Sequence, residues 1–362
     1  MFLFIKSIPM KQSFALLVGL AFMSAFTACS NDDEFAVAKT DNQLVVKAVG
    51  LAGVDTKAGI TATAFAGNES IGLYVNNGPL GTKYDNDVDY ENVKYTANGG
   101  ANWATESMVT LTNVSGTVRA YYPYSEDNGV YTPSDPNVAN NGTSIQLRVN
   151  ATQGTGIGGV TADDPAQIDY MWATPVENVS SSKPDVSLSL NHALTMLSFQ
   201  FTNSTEKPYP GVGKVSKITL KNKDGVTPLK AGLATMNIDN GEITLDARAA
   251  AAEFSVLPNA ESLKNVADLN AMPRFLVFPA NTATATNINA GDIIAEIILD
   301  DVKFSLKLPA IPGGFVAGKN YQFQFTIKGV ELEVDQVTIK PWVTIPTSAG
   351  DIQDPDDQVR VP

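Results

Sequence analysis

His192 is the only histidine and Cys29 the only cysteine among 362 residues. Any Ser/His/Asp or Cys/His nucleophilic catalysis would have to run through that one imidazole, and a metal site built from several histidines or cysteines is excluded. No nucleophile motif accompanies His192. It stands before a strongly alternating segment, where packing or capping suits it better than catalysis. Gly154 to Gly159 has the glycine spacing of a dinucleotide-binding turn, but Asp163-Asp164-Pro165 follows at once and leaves no room for the helix that would hold the phosphates. Asp85, Asp87 and Asp89 begin like a calcium loop, yet Tyr90 stands where glycine is required and Thr96 where the bidentate glutamate belongs. Scattered carboxylates allow a glycosidase in principle, since that chemistry needs an acid and a base at a set separation, which sequence spacing does not establish. Tyr121, Tyr122 and Tyr124 with Trp103, Trp172 and Trp342 could offer sugars a stacking platform, although aromatics at strand positions are more often core. The chain is therefore expected to be no enzyme and to need no cofactor and no metal.

Charge narrows the partners. There are 38 acidic against 25 basic side chains, a net −13. Such a balance disfavours nucleic acid and anionic membrane surfaces and suits a self-repelling exported body. Cys29 alone can form no intrachain disulfide, so stability has to come from packing.

The N-terminal stretch carries the clearest information. Met10-Lys11 followed by the apolar run from Phe14 to Phe22 reads as a signal peptide over residues 1–28, with Met10 an alternative start, and is too short to span a bilayer permanently. Small residues precede Cys29 and resemble the lipobox of bacterial lipoproteins, in which the cysteine is acylated and becomes the new N-terminus. Asp32-Asp33-Glu34 resembles an acidic export signal to the outer face of the outer membrane; a solvated linker is the plainer alternative. Leu44-Val45-Val46-Lys47-Ala48-Val49 reads as a strand ending at Gly50. Lys57-Ala58-Gly59 then falls among small residues, the exposed backbone a trypsin-like protease needs, or simply a loop with a solvated lysine.

The remaining chain is long enough for about two domains. Short alternating segments separated by Gly, Asn, Asp and Pro clusters predict strands at 70–75, 108–111, 117–124, 144–149 and 168–172. Period two is cleaner in the second half: Leu197, Phe199 and Phe201 share a face, as do Val302, Phe304, Leu306 and Leu308, and Tyr321, Phe323, Phe325 and Ile327. Further strands are expected at 215–220, 275–278, 293–299 and 337–342, with a short helix allowed within 253–271. Pro175 to Pro184 lacks a period, which places a boundary near Asp185. The fold class is all-β, antiparallel sheets packed as sandwiches.

Read in order, the lipobox, Asp55-Thr56-Lys57-Ala58, Ile71-Gly72-Leu73-Tyr74, Ala120-Tyr121-Tyr122-Pro123-Tyr124, Asp169-Tyr170-Met171-Trp172-Ala173, Asn191-His192-Ala193-Leu194 and Lys340-Pro341-Trp342 resemble the fimbrillin-like lipoproteins, the pilin subunits of type V fimbriae. The resemblance spans essentially the whole chain. It implies two transthyretin-like β-sandwich domains in tandem, 58–185 and 186–362, behind a lipidated propeptide of 29–57. It also implies a cell-surface, outer-membrane location and acylation of Cys29 by the lipoprotein machinery. A trypsin-like protease then cuts between Lys57 and Ala58, although the family more often has arginine at this position. With the cut, the strand holding Leu44, Val45, Val46 and Val49 is removed, and another pilin subunit's C-terminal strand fills the groove. In this chain the candidate donor residues are Val343, Ile345, Val359 and Val361. Asp351, Asp354, Asp356 and Asp357 with Pro346 and Pro355 interrupt that tail, so a disordered acidic terminus stands beside the donor reading. A tip or accessory pilin, or a monomeric adhesin that binds glycans or other host or bacterial surface ligands, remain alternatives to a stalk subunit.

Overall fold

The computed structural model describes residues 42–51, 65, 69–86, 88–98, 103–125, 143–153, 168–258, 272–280, 287–342 and 359–360. Cys29, Lys57, Ala58, Val343, Ile345 and Val361 lie outside the described residues, as does the glycine run from Gly154. Within them the regular elements are strands, with no helix. In chain order they are β1 (Val45–Leu51), β2 (Ser70–Asn76), β3 (Tyr90–Ala97), β4 (Trp103–Ala104), β5 (Gly116–Tyr122), β6 (Ser144–Val149), β7 (Met171–Ala173), β8 (Val176–Val179), β9 (Asp185–His192), β10 (Thr195–Asn203) and β11 (Val215–Asn222). They continue as β12 (Lys230–Asn237), β13 (Ile243–Leu245), β14 (Ala250–Ala251), β15 (Phe254–Val256), β16 (Arg274–Val277), β17 (Ile293–Leu299), β18 (Val302–Lys307), β19 (Lys319–Lys328), β20 (Glu331–Pro341) and β21 (Val359–Arg360).

The first sheet runs β1-β9-β7-β5-β2-β3-β4, with β8 also on β5. One face encloses a core of Leu44, Val46, Val49, Ile71, Leu73, Val75, Val118, Ala120, Leu188 and their neighbours. The opposite face, through Tyr74 and Tyr121, joins the second core. This is why β5 is buried at nearly every position rather than at alternate ones: each face of a central strand meets its own core. Gly72 lies opposite Tyr121, whose ring takes the space a side chain would occupy; a Cβ there would stand 2.1 Å from a ring carbon.

The second core is bounded by the sheets β16-β10-β19-β20-β21, β15-β11-β17-β18 and β13-β12-β14, the last extended by β6 on β12. Its centre is a stack of phenylalanines set opposite one another in register: Phe199 faces Phe323 at 5.5 Å and Phe201 faces Phe325 at 5.3 Å between ring centroids. Stacked rings in the interior bury large apolar areas and add a specific geometric preference. Among the named strands, pairing is antiparallel except for β10 with β19 and β1 with β9, which are parallel.

Three local expectations change. Val302 is 55 % exposed, and Phe304 and Leu306 are only half-buried, because β18 is the outer strand of its sheet and little covers it there. The strand expected at 108–111 shrinks to a single bridge from Thr110 to Gln43. The described part of 253–271 contains strand β15 and no helix. Asp185 is the first residue of β9, which belongs to the first sheet, and β10 lies in the second core.

Candidate functional site

The two outer strands of the first sheet, β1 and β4, approach each other, so the sheet curls around its core and β1 closes the seam. On one side β1 runs parallel to β9, from Val45 opposite Asp185 to Leu51 opposite Leu190. On the other, its leading residues meet the segment at 109–111: the Leu44 amide donates to the Val109 carbonyl at 2.9 Å, and the Leu111 amide to the Asn42 carbonyl at 2.8 Å. The register shifts by one residue between Val46 and Ala48. That bulge explains why Val46 and Val49, three residues apart, both point inward and are fully buried. Leu44 is buried with them, while Val45 is half-buried and Lys47 is exposed and pairs with Asp185 at 2.5 Å. An exposed pair of this kind contributes little to stability. The hold on residues 42–51 is thus three apolar side chains, the ladder to β9 and, at the leading end, two backbone bonds to the segment at 109–111.

Phe65 lies between Lys57 and β2 in the chain and is buried in the same core. Its ring meets Trp103 edge-on at 5.3 Å and Tyr122 at 5.6 Å. The Tyr122 hydroxyl donates to Glu69 Oε2 at 2.8 Å; burial first, and then the Glu69 carboxylate, push that phenol well above its usual pKa. Phe65 pins the chain to the first core just past the candidate cut. Phe65→Ala is expected to cost about 3–5 kcal/mol, the usual loss for a buried aromatic truncated to alanine, read from the urea midpoint of the full chain. A loss below about 1 kcal/mol would show that Phe65 pins nothing.

Residues far apart in sequence meet where the two cores join. Met171 lies opposite His192 and Trp172 opposite Asn191. His192 Nδ1 sits 3.0 Å from one Asp169 oxygen and 2.9 Å from the other, and both side chains are almost completely buried. The imidazole stacks flat on Trp342 at 3.9 Å, and the Trp342 amide donates to the Gly318 carbonyl. Burial pushes the Asp169 carboxyl above the ordinary carboxylate range, against the pull of His192 and Arg274. Two further ties cross the junction: Arg119 Nε donates to Asp239 Oδ1 at 2.5 Å, and Trp172 packs against the turn at Gly241, whose φ is +70°. His192 is thus held by Asp169 on one side and by the Trp342 ring on its face.

The calcium-like run offers little. Asp85 accepts hydrogen bonds from Asn86 and Thr112, and no cluster of three metal-ligating side chains occurs among the described residues. Of the aromatics that could stack on a sugar, Tyr121, Tyr122, Trp103 and Trp342 are buried, while Tyr124 and Trp172 are half-buried. Of the candidate donor residues, Val359 lies in β21, which pairs antiparallel with β20 at Thr338 and Ile339. The pairing of β6 with β12, a strand from the first half completing a sheet of the second core, had no counterpart in the sequence reading, because strand period does not name a partner.

The sequence profile of the fimbrillin-like family matches residues 56–342. The chain belongs to this family. Among solved structures, the fimbrillin-like chain is similar to a proposed cell adhesion protein from Bacteroides uniformis, at 19 % identity and a TM-score of 0.54, covering 83 % of this chain and 99 % of that one. It is also similar to a proposed cell adhesion protein from Bacteroides ovatus (16 %, TM-score 0.56, 84 % and 99 % covered). A fimbrial protein from Bacteroides vulgatus is a third (15 %, TM-score 0.51, 83 % and 99 % covered). At these identities the likeness shows a shared fold. No curated protein matches the sequence significantly. The family match starts at Thr56, so β1 precedes the matched region while the rest of the first sheet lies inside it.

Proposed function

We propose that this fimbrillin-like chain is a structural pilin subunit of a surface fimbria that supports adhesion, built from two tandem transthyretin-like domains. It is exported as a lipoprotein acylated at Cys29, cut between Lys57 and Ala58 by a trypsin-like protease, and polymerised by exchange of β1 for a strand of another subunit. The observation that carries this reading is the seam. β1 is an end strand, precedes the candidate cut, and is held by three buried apolar side chains and backbone pairing. Once it leaves, a slot with open hydrogen-bonding edges and an apolar floor remains, and an extended strand restores both. Val343, Ile345, Val359 and Val361 are the donor candidates in this chain. The related fimbrial protein of Bacteroides vulgatus supports a fimbrial role for the fold.

N-terminal sequencing of the surface-assembled form tests processing and activation together. It is expected to begin at Ala58, with heat-resistant ladders on denaturing gels, and Lys57→Ala is expected to abolish the ladders. Surface polymer that still begins at acylated Cys29, with assembly unaffected by Lys57→Ala, would overturn the reading.

A further inference from the structure

The core that β1 enters contains two hydrogen-bond donors that β1 does not satisfy. Tyr95 Oη and Trp103 Nε1 are both buried and have no hydrogen-bond partner among the described residues. Trp103 belongs to β4, which lies beside β1 at the seam, and pairs in register with Ala97. Tyr95 and Ala97 alternate onto the same inward face of β3. Both aromatic rings share their core with Leu44, Val46 and Val49. The inward-facing groups β1 supplies there are aliphatic, with nothing able to accept a proton. Buried donors without an acceptor are rare in folded proteins and costly, since they give up water and gain nothing. The backbone here is paired along β9 and, at the leading end, with the segment at 109–111.

We propose that the seam is matched to an incoming strand from another pilin subunit that presents a hydrogen-bond acceptor, the side-chain oxygen of Thr, Ser, Asn or Gln, at the level of Val46 or Val49, where Tyr95 and Trp103 donate to it. This rests on the strand-exchange reading and names the chemistry of the exchanged strand. The resident strand then closes the seam with an unmet demand, and a strand that meets it displaces β1 with a bias beyond apolar burial alone. The same chemistry discriminates among donors, because a purely aliphatic strand leaves the two groups as β1 does.

The test uses the full chain opened at Lys57 by limited trypsin digestion, and synthetic peptides of the 44–51 sequence, either native or carrying Val46→Thr or Val49→Thr. At least one threonine peptide is expected to enter the seam about tenfold more tightly than the native peptide, a difference of the size of one satisfied buried hydrogen bond. That preference is expected to vanish in the Tyr95→Phe, Trp103→Phe chain. Equal or weaker binding of both threonine peptides overturns the acceptor chemistry while leaving strand exchange standing. Failure of every peptide to enter overturns strand exchange itself. In the uncut chain the same pairs provide a second measurement: Val49→Thr or Val46→Thr is expected to lower the folded-to-unfolded ratio less in the native background than in the Tyr95→Phe, Trp103→Phe background. Equal losses in the two backgrounds overturn the proposal without requiring cleavage.

Discussion

A chain that begins at Ala58 is expected to lose cooperative unfolding of its first sheet while the second core still unfolds as a unit. Leu44, Val46 and Val49 are all buried in the first core, and at about 2 kcal/mol each their removal forfeits on the order of 6 kcal/mol of apolar burial. A whole domain is stable by only about 5–15 kcal/mol. The ladder to β9 and the two bonds to the segment at 109–111 go with them. The second core, with its paired phenylalanines, makes none of these contacts and keeps its own packing. Amide hydrogen exchange resolves the two: protection should collapse along β9, β5 and β2 and persist along β10, β17 and β19. Adding a peptide of residues 44–51 should restore the lost protection. Full protection of β9 without any peptide would show that β1 is ornamental to the first core and would remove the energetic basis for strand exchange.

Asp169→Ala is expected to cost about 3–5 kcal/mol, because removing one member of a buried pair leaves the other stranded. His192 would keep its stacking on Trp342 but lose the partner of Nδ1, and its Nε2 already has none among the described residues. The damage falls at the junction, where His192 at the end of β9 meets Trp342 just past β20. Asp169→Asn, which retains an oxygen to accept the Nδ1 proton, is the control and should cost much less. The pH dependence has a definite sign. Burial raises the folded-state pKa of Asp169 above its unfolded value, so its protonation favours the folded chain. That contribution is fully present below about pH 4 and is lost as pH climbs through the raised folded value. His192, Arg274 and Tyr122 are the groups coupled to it. Urea midpoints measured from acid to neutral pH should therefore fall less steeply in Asp169→Asn than in the native chain; parallel curves would show that Asp169 is not the group responsible.

Much of the strand content was open to reading because period two is a local property. Ile293 to Leu299 alternates buried and half-buried along its whole length, and β6 spans the predicted residues. β9 alternates just as cleanly, with Val186, Leu188 and Leu190 inward, although it follows a proline-bounded stretch that lacks a period. β18 forms and alternates as expected, but an outer strand buries only what its neighbours cover, so Phe304 and Leu306 are half-buried and Val302 is exposed.

The chain by itself determined that the protein is made of strands, that it holds no multi-histidine metal site and no intrachain disulfide, and which family it resembles. The first three follow from composition, counting and short-range periodicity, and the resemblance from short motifs in order; none of them needs a partner segment. Only the tertiary structure decided that β1 closes a seam between two outer strands, that a bulge turns both Val46 and Val49 inward, and that Asp169, His192 and Trp342 meet across the join. Register, strand order and long-range stacking depend on which distant segments share a core, and period two is silent about that. The two unsatisfied donors, Tyr95 and Trp103, belong to the same class: a residue type announces that it can donate, but only its packed surroundings show that nothing accepts.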